Sequence, residues 1–144
     1  MKRILVGLDM SERAPAILRE ALELARVLGA HVVAIRAATI PIEFPVEALS
    51  SAPDSLPAQL LTITQTALDR LVGDTPRDIL ETAEARLGTP WQVLCDAAKQ
   101  LEADLIVIGS HRYGALDRLL GTTAARVVNH APCSVLVIRE KVEH

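Results

Sequence analysis

"DLIVIGSHRYGALDRLLGTTAARVV" runs from Asp104 to Val128 and contains two different kinds of segment. "DLIVIG" is an unbroken apolar run rich in β-branched residues, the pattern of a strand buried on both faces of a parallel sheet. It empties into a stretch dense in Gly, Ser, Thr and Arg, and behind Gly121 "TAARVVNH" reads as a helix. Strand, small-residue loop and helix form the repeating unit of a parallel α/β sheet. Small residues after a strand let backbone approach a phosphate, and they also make plain turns. On these residues alone both readings stand.

The rest of the chain repeats the unit. "KRILVGL" (Lys2 to Leu8) and "HVVAIRA" (His31 to Ala37) are two further buried-looking strands. Between them Ser11 and Glu12 open a helix with Pro15 in its first turn, where a missing N–H costs little. Its apolar stripe is Ile17, Leu18, Ala21, Leu22, Ala25 and Leu28, and Gly29 ends it. Residues 39–57 hold Pro41, Pro45, Pro53 and Pro57, so they read as a long surface excursion. A helical pattern follows near Ala58, carrying Leu60, Leu61, Thr64, Leu68 and Leu71. "RDILETAEARLG" holds a third strand, weakly marked because Ala and Glu are poor strand formers. Pro90 starts a helix striped by Val93, Leu94, Ala97, Ala98 and Leu101, and "CSVLVIRE" (Cys133 to Glu140) is the last strand. The alternation predicts an α/β fold with a parallel sheet and helices on both faces, over residues 1–144 as one domain.

Composition narrows the function. Half of the 144 residues are hydrophobic and only 2% aromatic, so the core is aliphatic. A formal net charge of -3 argues against nucleic acid as a partner. No apolar run approaches the roughly 20 residues of a membrane span, and Asp9 and Glu12 interrupt the start before any signal-peptide core. Two cysteines, Cys95 and Cys133, in a chain with ample core point to a reducing cytoplasm.

In open α/β sheets ligands sit beyond the carboxyl ends of the strands. Of the segments there, "DMS" (Asp9 to Ser11) and the loop from Gly109 are polar, whereas Ala37-Ala38 and Gly88-Thr89 offer little. No G-x-G-x-x-G follows the first strand. Gly109-x4-Gly114 is half of a P-loop, with Ala115 and Leu116 in the Lys and Ser/Thr places. A phospho-acceptor Asp after the third strand is also missing, since Gly88 and Thr89 stand there. His130 and Cys133 make only two ligands of a zinc site, and no catalytic base stands out near the loop.

Three stretches, "ILVGLDMSE", "GTPWQVLCDAAKQLEADLIVIGSH" and "LLGTTAARVVNHAPCSVLVIR", make nearly the whole chain resemble the universal stress protein family. The resemblance implies a single-domain Rossmann-like fold of the adenine nucleotide alpha hydrolase type, with a five-stranded parallel sheet in the order 3-2-1-4-5. Asp9 and Gly109 would then face each other across one crevice. The family's ATP-binding branch carries G-x2-G-x9-G-[ST] after the fourth strand. Here Arg112 takes the second glycine's place and Gly121-Thr122 comes one residue early, closer to a sub-branch with "SHR" followed by "LLG[ST]".

The site residues follow from that resemblance. Asp9 would hydrogen-bond the adenosine, its carboxylate accepting from ribose hydroxyls; the plain alternative is a helix N-cap. Ala37 falls where the family reads adenine through backbone atoms. Gly109, Ser110, Gly121, Thr122 and Thr123 would hold phosphate at a helix N-terminus, with ordinary Thr capping as the alternative. His111 and Arg112 are loop residues that either add a phosphate contact or stay solvated. The ligand implied is ATP, with AMP, ADP and accompanying Mg²⁺ within the same reading, and slow or no hydrolysis in a stress-response regulator. A homodimer through the last strand, Ser134 to Ile138, is implied as well, and unpaired edge strands invite such pairing. The competing expectation is a nucleotide-free homodimeric module whose Pro-rich segment meets a protein partner.

Overall fold

The computed structural model describes residues 2–40, 54–110 and 120–139. Within them the elements run β1 (Arg3–Gly7), α1 (Ala14–Leu28), β2 (His31–Ala38), α2 (Leu56–Val72), β3 (Leu80–Leu87), α3 (Pro90–Gln100), β4 (Leu105–Gly109), α4 (Thr122–His130) and β5 (Ser134–Ile138). The five strands form one sheet in the order β3-β2-β1-β4-β5, every pairing parallel. The chain winds outward from β1 to β3, returns to β4 beside β1, and winds outward again to β5. The order therefore reverses between β1 and β4, which is where such sheets open a crevice.

Successive strand side chains point to opposite faces, so each central strand feeds two cores. Ile4, Val6, Val32, Ala34 and Val107 pack with Ile17, Leu18, Ala21, Leu22 and Ala25 of α1 and with Leu68 and Val72 of α2. Leu5, Val33, Ile35, Ile106 and Ile108 pack with Val93, Leu94, Ala97 and Ala98 of α3 and with Ala124 and Val127 of α4. Ile4, Leu5, Val6, Val32, Ile35, Ile106 and Val107 are fully buried. Both faces of the central strands are thus covered, as their unbroken apolar runs require.

Several boundaries differ from the sequence expectation. Helix α1 starts at Ala14, not at Ser11, because the Ser11 N–H donates to Asp9 Oδ1 (2.9 Å) and the Arg13 N–H donates to Ser11 Oγ (3.3 Å). Those bonds shape a side-chain-closed turn ahead of the helix. Leu28, expected in the stripe, is 42% exposed beside Gly29, which turns the chain with φ 65°. The excursion over 39–57 ends early: Ser55 caps α2 by accepting from the Ala58 N–H (3.3 Å), and Pro57 sits in the first turn. Residues 41–53 of that excursion lie outside the described residues. In α2 only Leu68 and Val72 are fully buried, while Leu60, Leu61, Thr64 and Leu71 are half-buried. The helix covers the β2–β3 side of the sheet, where the core is thinner.

Candidate functional site

A crevice of about 540 Å³ opens at the carboxyl ends of β1 and β4. β1 contributes Gly7, and the chain continues along the wall through Leu8, Asp9, Met10 and Ser11; β4 contributes Ile108 and Gly109. Pro90 and Leu94 of α3, with Ile35 of β2, complete an apolar wall, and Gly121 to Ala124 close the far side. Gly7 allows α3 to lie this close: a Cβ there would stand 2.7 Å from Leu94 Cδ1.

Asp9 is exposed on the rim. Its Oδ1 accepts the Ser11 N–H, and α1 begins five residues beyond it, behind Arg13 at the N-cap position and with no side-chain cap, so Asp9 does not serve as the helix cap. Oδ2 has no partner among the described residues. Across the crevice Gly121 stands at the N-cap of α4 with φ -61° and ψ 162°, and among the described residues no side chain caps that helix. Those groups carry partial positive charge, so Thr122 and Thr123 bring an anion-attracting helix end to the wall.

Ala37 lines the same crevice, half-buried. The Leu8 N–H donates to the Ile35 carbonyl (2.9 Å), and the Gly88 N–H donates to the Ala38 carbonyl (3.1 Å) on the opposite edge of β2. By strand alternation Ala37 turns its backbone N–H and C=O the same way as Ile35, toward β1, whose register with β2 ends at Gly7↔Ile35. Its amide groups therefore face the space beyond the end of β1.

The structure thus brings Asp9, Ala37, Gly109, Gly121, Thr122 and Thr123 onto one crevice. Ser110 is not part of that wall, and its N–H donates to the Ile138 carbonyl (3.0 Å), extending the β4–β5 ladder by one rung. His111 and Arg112 lie outside the described residues. His130 stacks on Trp91, ring centroids 4.6 Å apart, with the Arg126 guanidinium 5.7 Å from the indole centroid. Cys95 is buried in the α3–α4 core and Cys133 is half-buried beside it; burial pushes both thiols up from their ordinary range.

The second strand end is not mute, contrary to the sequence reading. Arg36 and Thr39 both line the crevice. Arg36 is 5% exposed; its Nη2 donates to the Asp9 carbonyl (2.5 Å) and its Nε to the Leu8 carbonyl (3.4 Å). Burial pulls the guanidinium's pKa down and the Asp9 carboxylate opposes that, but arginine keeps its charge in proteins. The available signal was a cation at the position that continues the inward series Val32, Ala34 of "HVVAIRA".

The Universal stress protein family model matches residues 1–139. Universal stress protein Slr1101 of Synechocystis sp. is 42% identical over 62 residues, 42% of this chain and 57% of that protein, so the aligned stretch spans little more than half of that relative. The solved UspA of Lactobacillus plantarum is 31% identical, with a TM-score of 0.69 over 96% of this chain and 97% of its own. A universal stress protein solved in complex with cAMP (24% identity, TM-score 0.68, 97% and 98% coverage) shares the fold. So does the Archaeoglobus fulgidus protein solved in complex with dAMP (24%, TM-score 0.55, 96% and 98%).

Proposed function

Because this chain belongs to the universal stress protein family, we propose that it binds an adenine nucleotide in the β1/β4 crevice and acts as a stress-linked regulator rather than a fast enzyme. The carrying observation is the union, on one cavity, of an exposed carboxylate and the open N-terminus of α4. The volume falls in the range of about 300–1,000 Å³ usual for small-molecule sites. Gly7, Ile35, Leu94 and Ile108 supply an apolar wall suited to a base, and the Ala37 amide lies where a base edge is read. Asp9 Oδ2 accepts from ribose hydroxyls, and Gly109, Gly121, Thr122 and Thr123 receive phosphate through backbone N–H groups. Solved proteins of this fold carry cAMP and dAMP, which supports an adenine nucleotide as the ligand.

We also place a homodimer at β5, the sheet's outer edge on that side, where Leu136 is 42% exposed. Two free cysteines fit a reducing cytoplasm.

The test is thermal unfolding of nucleotide-stripped protein against ATP, with and without Mg²⁺, and GTP as control. A ligand at a hundred times its dissociation constant adds roughly 2.7 kcal/mol, several degrees in a chain of this size. A shift with ATP and little with GTP supports the reading. No shift with either overturns it and leaves the nucleotide-free module.

A further inference from the structure

We propose that Arg36 is a positioning residue that holds Asp9 for ribose recognition; this rests on the nucleotide reading above. By alternation with Val32 and Ala34, Arg36 leaves β2 on the α1 side of the sheet; it also lines the crevice, and its guanidinium reaches the chain just past the end of β1. A buried cation is costly unless its N–H groups find acceptors. Arg36 finds them in two consecutive carbonyls just past β1, those of Leu8 and Asp9.

The consequence falls on Asp9. An exposed carboxylate in a turn would ordinarily sample many positions, but here its main chain is held at the carbonyl by the guanidinium. Its side chain is held at Oδ1 by the Ser11 N–H at 2.9 Å. Oδ2 is left free, aimed by two restraints. The Leu8 carbonyl, which the next sheet rung would offer to the Ala37 N–H, instead meets Arg36 Nε, and no bond joins that amide to Leu8 among the described residues. One side chain thus sets the carboxylate and leaves the neighbouring amide open. A lysine cannot do the same, because a single ammonium lacks the planar fork that spans two carbonyls.

The experiment compares ATP with 2′,3′-dideoxy-ATP, by calorimetric titration, on the full chain and its Arg36→Lys and Arg36→Met variants, with melting curves to verify folding. The wild type is expected to prefer ATP by about tenfold, the worth of one hydrogen bond to a charged group. Arg36→Met should bring the two nucleotides within about twofold of each other, and Arg36→Lys should fall between. If Arg36→Met does not fold, the Lys variant decides by the same ratio. Equal weakening toward both nucleotides, with the preference intact, would assign Arg36 to the scaffold and overturn the inference. A wild type that binds both nucleotides equally overturns it too, while leaving nucleotide binding in place. A wild type that binds neither removes both readings.

Discussion

Gly7→Ala tests whether the crevice is shaped by the close approach of α3 to β1. The added Cβ would lie 2.7 and 2.9 Å from the two Leu94 methyl carbons and 3.0 Å from Ile108 Cγ2. Apolar carbons rest at about 3.5–4.0 Å, so Leu94 must retreat by about 1 Å. Leu94 is 5% exposed and packed on its helix side, and its open direction is the crevice it lines. Overpacking of this kind costs about 1–3 kcal/mol, and the lost freedom of the unfolded chain returns about 0.4–1 kcal/mol. A net loss of about 1–2 kcal/mol lowers the melting midpoint by roughly 3–6 °C. The displaced methyl groups enter the apolar wall, where a misplaced methylene is worth about 1–3 kcal/mol, so ATP affinity falls roughly tenfold or more. Adding Leu94→Val removes both clashing δ-carbons, and the double variant should recover with a coupling of about 1 kcal/mol. The assay is a melting curve and a titration on all four proteins. A Gly7→Ala protein that melts with the wild type and keeps its ATP affinity would refute the seating of α3 on β1, as would strict additivity.

Thr122→Glu separates capping from anion binding at α4. A carboxylate in the first turn favours the helix by about 0.3–1 kcal/mol, so the ligand-free midpoint should hold or rise while ATP affinity falls at least about tenfold; a parallel change in both would argue against phosphate there. Asp104 Oδ2 accepts the Arg3 N–H (3.0 Å) and the Lys2 N–H (2.7 Å), which hold its carboxyl below the ordinary 3.8. A depressed carboxylate contributes stability that is complete above about 3.8 and lost as pH falls through the folded value. Asp104→Asn should therefore flatten the acid limb of midpoint against pH, read by calorimetry between pH 2 and 7. Gln65 of α2 donates to the Ala83 carbonyl (3.0 Å) and accepts the Ala85 N–H (2.8 Å). It stands in for a neighbouring strand along the β3 edge, so Gln65→Ala should raise self-association in sedimentation, and an unchanged profile would sink that role.

The central strands were legible because burial on both faces forces an unbroken apolar run: "ILV", "VVAI" and "LIVI" can hardly be anything else. β3 was faint for the complementary reason. It is an edge strand with only Leu80 and Ala85 buried, so Glu and Ala cost little there and no alternation is enforced. The start of α1 slipped because Asp9 and Ser11 close a local turn with their own side chains, a competition that propensity and periodicity do not register. The order 3-2-1-4-5 came through the family resemblance rather than the pattern, since alternation of strands and helices fixes parallel pairing but not which strands are neighbours.

In the crevice, Asp9, Gly109 and Gly121 were readable because position alone marks them: each is a small or charged residue following a buried strand or opening a helix. Arg36 was not readable by that rule. Its Cα belongs to the strand and its side chain starts toward the α1 core, while the guanidinium acts several bonds away on the carbonyls just past β1's end. Alternation assigns the Cβ of a residue to a face, and for Val or Ile the face decides the contact. For a side chain as long as arginine the face decides only where the path begins. The two carbonyls that receive it are open because β1 stops at Gly7 while β2 runs on to Ala38, so the carbonyls of Leu8 and Asp9 lack the rungs that a longer β1 would have given them. The cation at position 36 and the early end of β1 therefore explain each other. A hydrophobic residue at 36 would leave two carbonyls at the crevice without their donor, and a longer β1 would leave the guanidinium buried without its acceptors.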